Sequence, residues 1–314
     1  MNIKIVMMCK NESDLLMPWA RYHGTLFGYE NIIVIDNGSD ESVSVSLLKE
    51  IEELGVAVLR QYFKKEDYCR KGDITAEIIK ELESTSPADF YFPLDCDEFI
   101  GARIDGNVSF SRDSIFQALE PYLDDQRVLM IDLAYDNHGI LPGYFLPSWG
   151  QMKCFFAHGA CGVLDHGSHV AQSRTGSERV KTPIIYMHYH YKPYDIIVAH
   201  AINKLRPFVK GFDENDLDSI PYGVPGTHLI GHLRHPNAES YYNQFGIDNY
   251  VRIPQFGQAL FEVGTHLPFS DQCPVPAGFD PEAYLEFNQD VQAIGVDPAF
   301  HYARQGYKEG RKWY

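Results

Sequence analysis

Asp95 and Asp97 carry the clearest chemical signal in the sequence. They stand one residue apart in Leu94-Asp95-Cys96-Asp97-Glu98-Phe99, directly behind the apolar run Phe90-Tyr91-Phe92-Pro93-Leu94. In extended chain, positions i and i+2 share a side, so the two carboxylates repel each other unless a cation lies between them. A hard divalent ion, Mn2+ or Mg2+, removes that repulsion; with a diphosphate it completes its shell from phosphate oxygens and water. Such an ion stabilises the charge that builds on a departing diphosphate. A solvated acidic turn is the plainer alternative for a lone Asp-x-Asp, and the position behind a buried strand favours the metal.

Other candidates sit at comparable places. Asp36 follows Ile32-Ile33-Val34-Ile35 and opens Asp36-Asn37-Gly38-Ser39-Asp40, where its carboxylate either accepts from a base N–H or ribose hydroxyl or caps the next helix. Lys10, Asn11 and Glu12 follow the apolar Ile3–Cys9 and either hold base and phosphates or form a simple turn. Arg70 and Lys71 are the nearest cations for a diphosphate, and an exposed basic pair before a helix is the bland alternative. His188 and His190 fall on one face if Ile184–Tyr191 is a strand, which would bring an imidazole to the metal as a further ligand. For a general base acting on an acceptor hydroxyl the chain offers Asp132, Asp136 and Asp165; Asp165, beside His166, is the first choice.

These residues need a scaffold that brings distant segments together. Apolar runs at 3–9, 32–35, 56–59 and 90–94 alternate with helical periodicity at 15–28, 45–54 and 73–83. That alternation predicts an α/β fold, a Rossmann-like mixed sheet flanked by helices, with ligands at the carboxyl ends of the strands. From 128 to 198 the pattern turns strand-rich and aromatic, with runs at 128–133, 153–157 and 184–191. Helical periodicity returns over 194–209, a loop-rich stretch follows at 211–236, and 271–279 has the Pro and Gly density of a linker. The expected organisation is a domain over 1–270, with a nucleotide-binding half at about 1–127 and an acceptor half at about 128–270, then a small helical tail at 275–314.

Composition limits the partners. With 43 acidic against 27 basic side chains the formal charge is -16, so a nucleic-acid backbone is repelled on average. A diphosphate chelated to a divalent cation is a polyanion that such a chain tolerates. The six cysteines form no CxxC pair, which speaks against a structural zinc site or a disulfide framework. No run reaches the roughly 20 apolar residues of a membrane span. A cytoplasmic protein is expected, working at the inner face of a membrane through its acceptor, and the aromatic second half leaves room for an oligomer.

The segments Cys9-Lys10-Asn11-Glu12, Ile32 to Glu41 (IIVIDNGSDE) and Pro93 to Ile100 (PLDCDEFI) resemble glycosyltransferases of the GT-A fold and family 2 type, close to the family 92-like group. The likeness covers the first hundred residues well and extends loosely to Lys153 and to His188 to Asp195 (HYHYKPYD), where Pro193 replaces the group's usual serine. It implies that Asn11, Glu12 and Asp36 cradle the nucleotide, that Asp95 and Asp97 bind Mn2+ or Mg2+ with the diphosphate, and that His188 approaches the metal. It also implies inversion at the anomeric carbon, with a nucleotide-sugar donor and a glycan or glycolipid acceptor; the group's Glu-Asp base motif has no recognisable counterpart here. Residues 279–311 are similar to a short helical repeat of bacterial proteins. The competing expectations are an inactive GT-A domain that binds glycans or nucleotide-sugars, and a nucleotidyltransferase, whose glycine-rich basic loop is missing after the first strand.

Overall fold

A computed structural model describes residues 1–150, 152–221, 224, 226–265, 267, 275–276, 278–307 and 309–313. The chain forms two compact units: Met1–Asp136 with Pro147–His190 and Ile253–Pro268, and Asn137–Leu146 with Tyr191–Arg252 and Phe269–Tyr314. The expected boundary between 270 and 275 and most of the expected 271–279 linker, Cys273 included, lie outside the described residues.

The first unit has the expected α/β class. In chain order its amino-terminal part runs β1 (Ile3–Cys9), α1 (Leu16–Phe27), β2 (Ile32–Asp36), α2 (Ser42–Glu53), β3 (Ala57–Leu59), α3 (Lys65–Cys69), α4 (Lys71–Thr85) and β4 (Phe90–Leu94). β5 (Glu98–Ile104), β6 (Asn107–Ser109), α5 (Arg112–Leu119), β7 (Val128–Met130) and β8 (Leu133–Asn137) follow, and β9 (Tyr144–Ser148), next in the chain, falls mostly in the second unit. The series ends with β10 (Cys154–Ala157), β11 (Cys161–Leu164), β12 (Ala171–Ser173), β13 (Arg179–Lys181) and β14 (Ile184–His188). A mixed sheet is ordered β13-β7-β10-β4-β1-β2-β3. β4, β1, β2 and β3 run parallel, while β10 is antiparallel to both β4 and β7. β1 is buried at every position, as a central strand covered on both faces must be.

Two helices fix this sheet. α4 lays Ile74, Ile78 and Ile79 on Val6, Met8, Ile33, Ile35 and Tyr91. α1 carries Trp19 and Tyr22, both fully buried, whose Nε1–H and hydroxyl donate to the carbonyls of Glu98 and Ile100 on β5 at 2.9 and 2.6 Å. β5 belongs to a second layer in which β14 pairs antiparallel with β5 and parallel with β8.

Several sequence expectations change. Asp95 and Asp97 do not alternate along a strand: β4 ends at Leu94, and a turn closed by Glu98 N–H donating to Asp95 O leads into β5. β14 stops at His188, so His190 lies beyond it and no strand alternation aligns the two, though their rings are 5.3 Å apart. α4 begins at Lys71 rather than Asp73. The stretch 211–236 holds short helices at Glu214–Asp218 and Ile230–Leu233.

In the second unit, the helix Tyr194–Leu205 packs Ile197 and Ala201 against Leu229, Tyr241 and Phe245. Near the carboxyl end, helices Pro281–Phe287, Gln289–Ile294 and Pro298–His301 are tied by polar side chains. Tyr284 Oη meets His301 Nδ1 at 2.8 Å, and Arg311 donates to Asn288 and Asp290.

Candidate active site

β1, β2 and β4 end together, because parallel register sets Cys9 opposite Asp36 and Met7 opposite Leu94. The loops behind them therefore share one rim of the sheet. Cys9 registers that convergence: burial pushes its thiol well up, the charges of Glu12 and Asp36 push further, and Lys71 pulls it back.

The first two loops are bolted to each other. Asn11, at φ 54, accepts from the N–H groups of Asp40 and Glu41 at 2.9 and 3.2 Å, and its amide donates to Asp40 Oδ1 at 2.7 Å. Asp36 Oδ1 accepts from Ser39 N–H at 2.8 Å, a tie within the loop rather than a helix cap, since α2 begins only at Ser42 behind Glu41. Lys10 is exposed and Glu12 half-buried on the same turn.

The third loop carries the charge. Asp95 gives one carboxylate oxygen to Lys71 and the other to Lys153 Nζ at 2.6 Å. Lys153, with 1% of its side chain exposed, also reaches Glu98 Oε2 at 3.2 Å, and Glu98 Oε2 accepts from Asp95 N–H at 2.8 Å. Burial opposes ionisation of Asp95, yet the ammonium charges of Lys153 and then Lys71 hold its carboxyl well below the usual range. Burial lifts Glu98 to about 7 against the pull of Lys153. Lys71 reaches this place because Gly72 lets the first turn of α4 touch the backbone of Leu164 and Asp165, where a Cβ would stand 2.4 Å from either carbonyl oxygen.

Asp97 faces a different partner. Tyr189 N–H donates to Asp97 O at 2.8 Å, which ties the end of β14 to the turn and leaves His188 Nε2 3.7 Å from Asp97 Oδ2. His188 Nδ1 donates to Asp136 Oδ1 at 2.7 Å. Burial disfavours a charged His188, but its hydrogen bond to Asp136 and the close carboxylate of Asp97 outweigh that and raise its pKa well above the ordinary histidine value.

Asp97 and His188 suit a divalent ion. Two ligands each about 2.1 Å from one ion stand roughly 3–3.7 Å apart, and a carboxylate behind the other imidazole nitrogen is the usual support of a metal-bound histidine. Among the described residues no group of three or more His, Cys, Asp or Glu could by itself hold a metal ion.

The remaining candidates have other engagements. Asp165 is exposed in the turn between β11 and β12, where its Oδ1 accepts from Val170 N–H at 2.8 Å. Arg70 pairs with Asp73 and Glu77 on its own helix at 3.6 and 3.3 Å. Asp132 pairs with Arg103, and with Lys181 at 3.8 Å. Sequence reasoning gave Lys153 no role, although the family likeness reached it and it abuts the apolar Cys154–Ala157. Glu98 lay inside the quoted motif without an assigned function.

No protein-family model matches the chain, and no curated protein matches it. Solved structures to which it is similar include the S. aureus protein TarS, residues 1-349, at 11% identity and a TM-score of 0.33, covering 100% of this chain and 93% of that one. Another is glucosyl-3-phosphoglycerate synthase from Mycobacterium tuberculosis, bound to Mn2+, UDP and glucosyl-3-phosphoglycerate, at 15% identity and a TM-score of 0.26 over 44% of this chain and 45% of that one. A cytidylyltransferase from Leptospira borgpetersenii is similar at 13% identity and a TM-score of 0.25 over 43% of this chain, and the alignment spans about half, 54%, of its own length.

Proposed function

We propose that the chain is a GT-A glycosyltransferase of the family 2 type that moves a sugar, with inversion, from a UDP-linked donor to a glycan or glycolipid acceptor. The observation that carries this reading is the meeting, at the carboxyl ends of parallel strands, of a two-lysine cluster on Asp95 with an Asp97–His188–Asp136 chain. One side is suited to anionic phosphate and the other to a divalent cation.

Lys10, Asn11, Glu12 and Asp36 line the rim where base and ribose would lie, with Asn11 holding the two loops in register. Mn2+ or Mg2+ belongs at the Asp95–Asp97 turn with His188, and when bound it supplies positive charge against the departing diphosphate. Lys71 meets the same negative charge from the start of α4, where the positive end of the helix dipole also favours an anion. The proposed base is Asp165, next to the backbone that Gly72 touches; it would take the acceptor hydroxyl's proton as the oxygen attacks the anomeric carbon.

Titration calorimetry of the full chain with UDP, with and without Mn2+, tests the reading. Binding strengthened by Mn2+ in the wild type and lost in Asp97→Ala is the expected result. A chain indifferent to UDP under both conditions is not a UDP-sugar transferase.

A further inference from the structure

We infer that His169, on the turn between β11 and β12, is a specificity-determining residue: its imidazole Nε2–H donates to a neutral oxygen, a hydroxyl or an amide carbonyl, on the sugar of the donor. The inference rests on the nucleotide-sugar reading and deepens it, assigning recognition of the sugar to a side chain outside the loops behind β1, β2 and β4.

The turn is fastened on two sides, each time beside a lysine of the site. Ser168 O accepts Cys154 N–H at 2.7 Å and His169 O accepts from Cys154 Sγ at 3.3 Å, and Cys154 follows Lys153 in the chain. On the other side the carbonyl oxygens of Leu164 and Asp165 lie against Gly72, which follows Lys71. Within the turn, Ser168 N–H donates to Asp165 O at 3.1 Å and Val170 N–H to Asp165 Oδ1 at 2.8 Å; the Tyr68 and His166 rings meet edge to face at 4.9 Å. A turn held in this way brings His169 into the field of Lys153, Asp165, Asp95 and Lys71.

Gly167 shows that the place of the ring is built in. Its φ is not positive, so the backbone does not require a glycine, yet a Cβ there would stand 2.4 Å from His169 Cδ2 and 2.8 Å from Nε2. The imidazole, not the main chain, excludes a side chain at 167.

The chemistry of the ring selects its partner. Nδ1 is buried with no hydrogen-bond partner among the described residues. A covered lone pair is tolerated better than a covered N–H, so the proton belongs on Nε2. Burial, then the charge of Lys153, lowers the pKa of the ring, which is therefore neutral near neutral pH. The half-buried His169 thus offers one uncharged donor. A cation is repelled by the two lysines, and an anion gains no ion pair from a neutral ring. A neutral oxygen suits such a donor, and a sugar bound next to the diphosphate carries several.

Calorimetry of the full chain with Mn2+ tests this by comparing UDP with UDP-glucose, UDP-galactose, UDP-N-acetylglucosamine and UDP-N-acetylgalactosamine; the sugar nucleotide that the wild type binds best is carried to the variants, and thermal melts check that each is folded. His169→Ala is expected to weaken that ligand roughly 3- to 10-fold and to leave UDP within about twofold. His169→Gln keeps an N–H donor and should recover most of the loss. Gly167→Ala, whose methyl turns the ring aside, should reproduce the loss with His169 intact. Equal weakening of UDP and the sugar nucleotide in His169→Ala overturns the inference, as does no weakening of either or a loss that glutamine does not recover at all, while UDP binding strengthened by Mn2+ still upholds the functional reading. A wild type that binds neither UDP nor any of the four sugar nucleotides overturns both.

Discussion

His188 donates its Nδ1–H to Asp136 Oδ1 at 2.7 Å, and parallel pairing of β14 with β8 sets these two residues directly opposite each other. The bond decides which imidazole nitrogen turns toward Asp97. Removing the carboxylate in Asp136→Ala frees the ring to rotate, and Mn2+ affinity is expected to fall about 10- to 100-fold with little change in the thermal midpoint. Metal titration beside a melting curve checks this, and an unaltered affinity would show that Asp136 does not orient the ring.

The raised pKa of His188 gives a second expectation, with a definite sign. The hydrogen bond to Asp136 and the neighbouring carboxylate of Asp97 overcome burial and keep the ring protonated near neutral pH, so an ion that binds Nε2 must displace a proton. Mn2+ affinity should therefore rise as pH increases from roughly 6 to roughly 8.5, with proton release visible as a dependence of the binding heat on buffer ionisation enthalpy. Affinity that is flat with pH, or that falls, would mean that His188 does not give its Nε2 to the ion.

The parts of this site legible in the sequence are those made by local pattern. Apolar runs followed by Lys10-Asn11-Glu12, Asp36 and Asp95-Cys96-Asp97 announce strands and the loops at their ends, and the structure has them there. What the sequence hid depends on pairing between distant strands. Asp136 meets His188 only through the β8–β14 register, across 52 positions of chain. Lys153 meets Asp95 across 58 positions, through the antiparallel entry of β10 beside β4. The lysines were hidden for the same reason: repulsion between Asp95 and Asp97 pointed to a cation from outside the chain, and the fold also sets Lys71 and Lys153 on Asp95.

Gly72 supplies a steric test of how Lys71 is placed. A Cβ there would lie 2.4 Å from the carbonyl oxygens of Leu164 and Asp165, and backbone cannot yield as a flexible side chain can. Alanine's better helix propensity, worth at most about 1 kcal/mol, opposes an overpacking cost of about 1–3 kcal/mol. Gly72→Ala is thus expected to lower the melting temperature by several degrees and to weaken pyrophosphate binding as Lys71 shifts. Gly257, within the helix Pro254–Glu262 with nothing within 4 Å of its would-be Cβ, is the control. Gly257→Ala should be neutral or stabilising, and equal behaviour of the two variants would remove the steric argument.

Acid stability tests a residue remote from the charges. His23 is fully buried; its Nδ1–H donates to Trp19 O at 3.0 Å and its Nε2 accepts Ile100 N–H at 3.3 Å, a pattern that only the neutral ring satisfies. Burial drives its pKa down to about 3, with the Trp19 carbonyl pulling the other way. The folded value thus lies below that of the unfolded chain, near 6.5, so the unfolded state binds the extra proton first. Stability from this residue is complete above about pH 6.5 and is lost as pH falls towards 3, at about 1.4 kcal/mol per pH unit. His23→Gln keeps one donor and one acceptor but cannot titrate. It should be less stable than wild type at neutral pH, by about 1–3 kcal/mol, and its stability should decline less steeply on acidification. Denaturant unfolding at a series of pH values measures both curves, and groups other than His23 contribute alike to each. The two curves are expected to converge below pH 6.5; curves that stay parallel down to about pH 4.5 would show that His23 titrates in the folded chain much as it does in water.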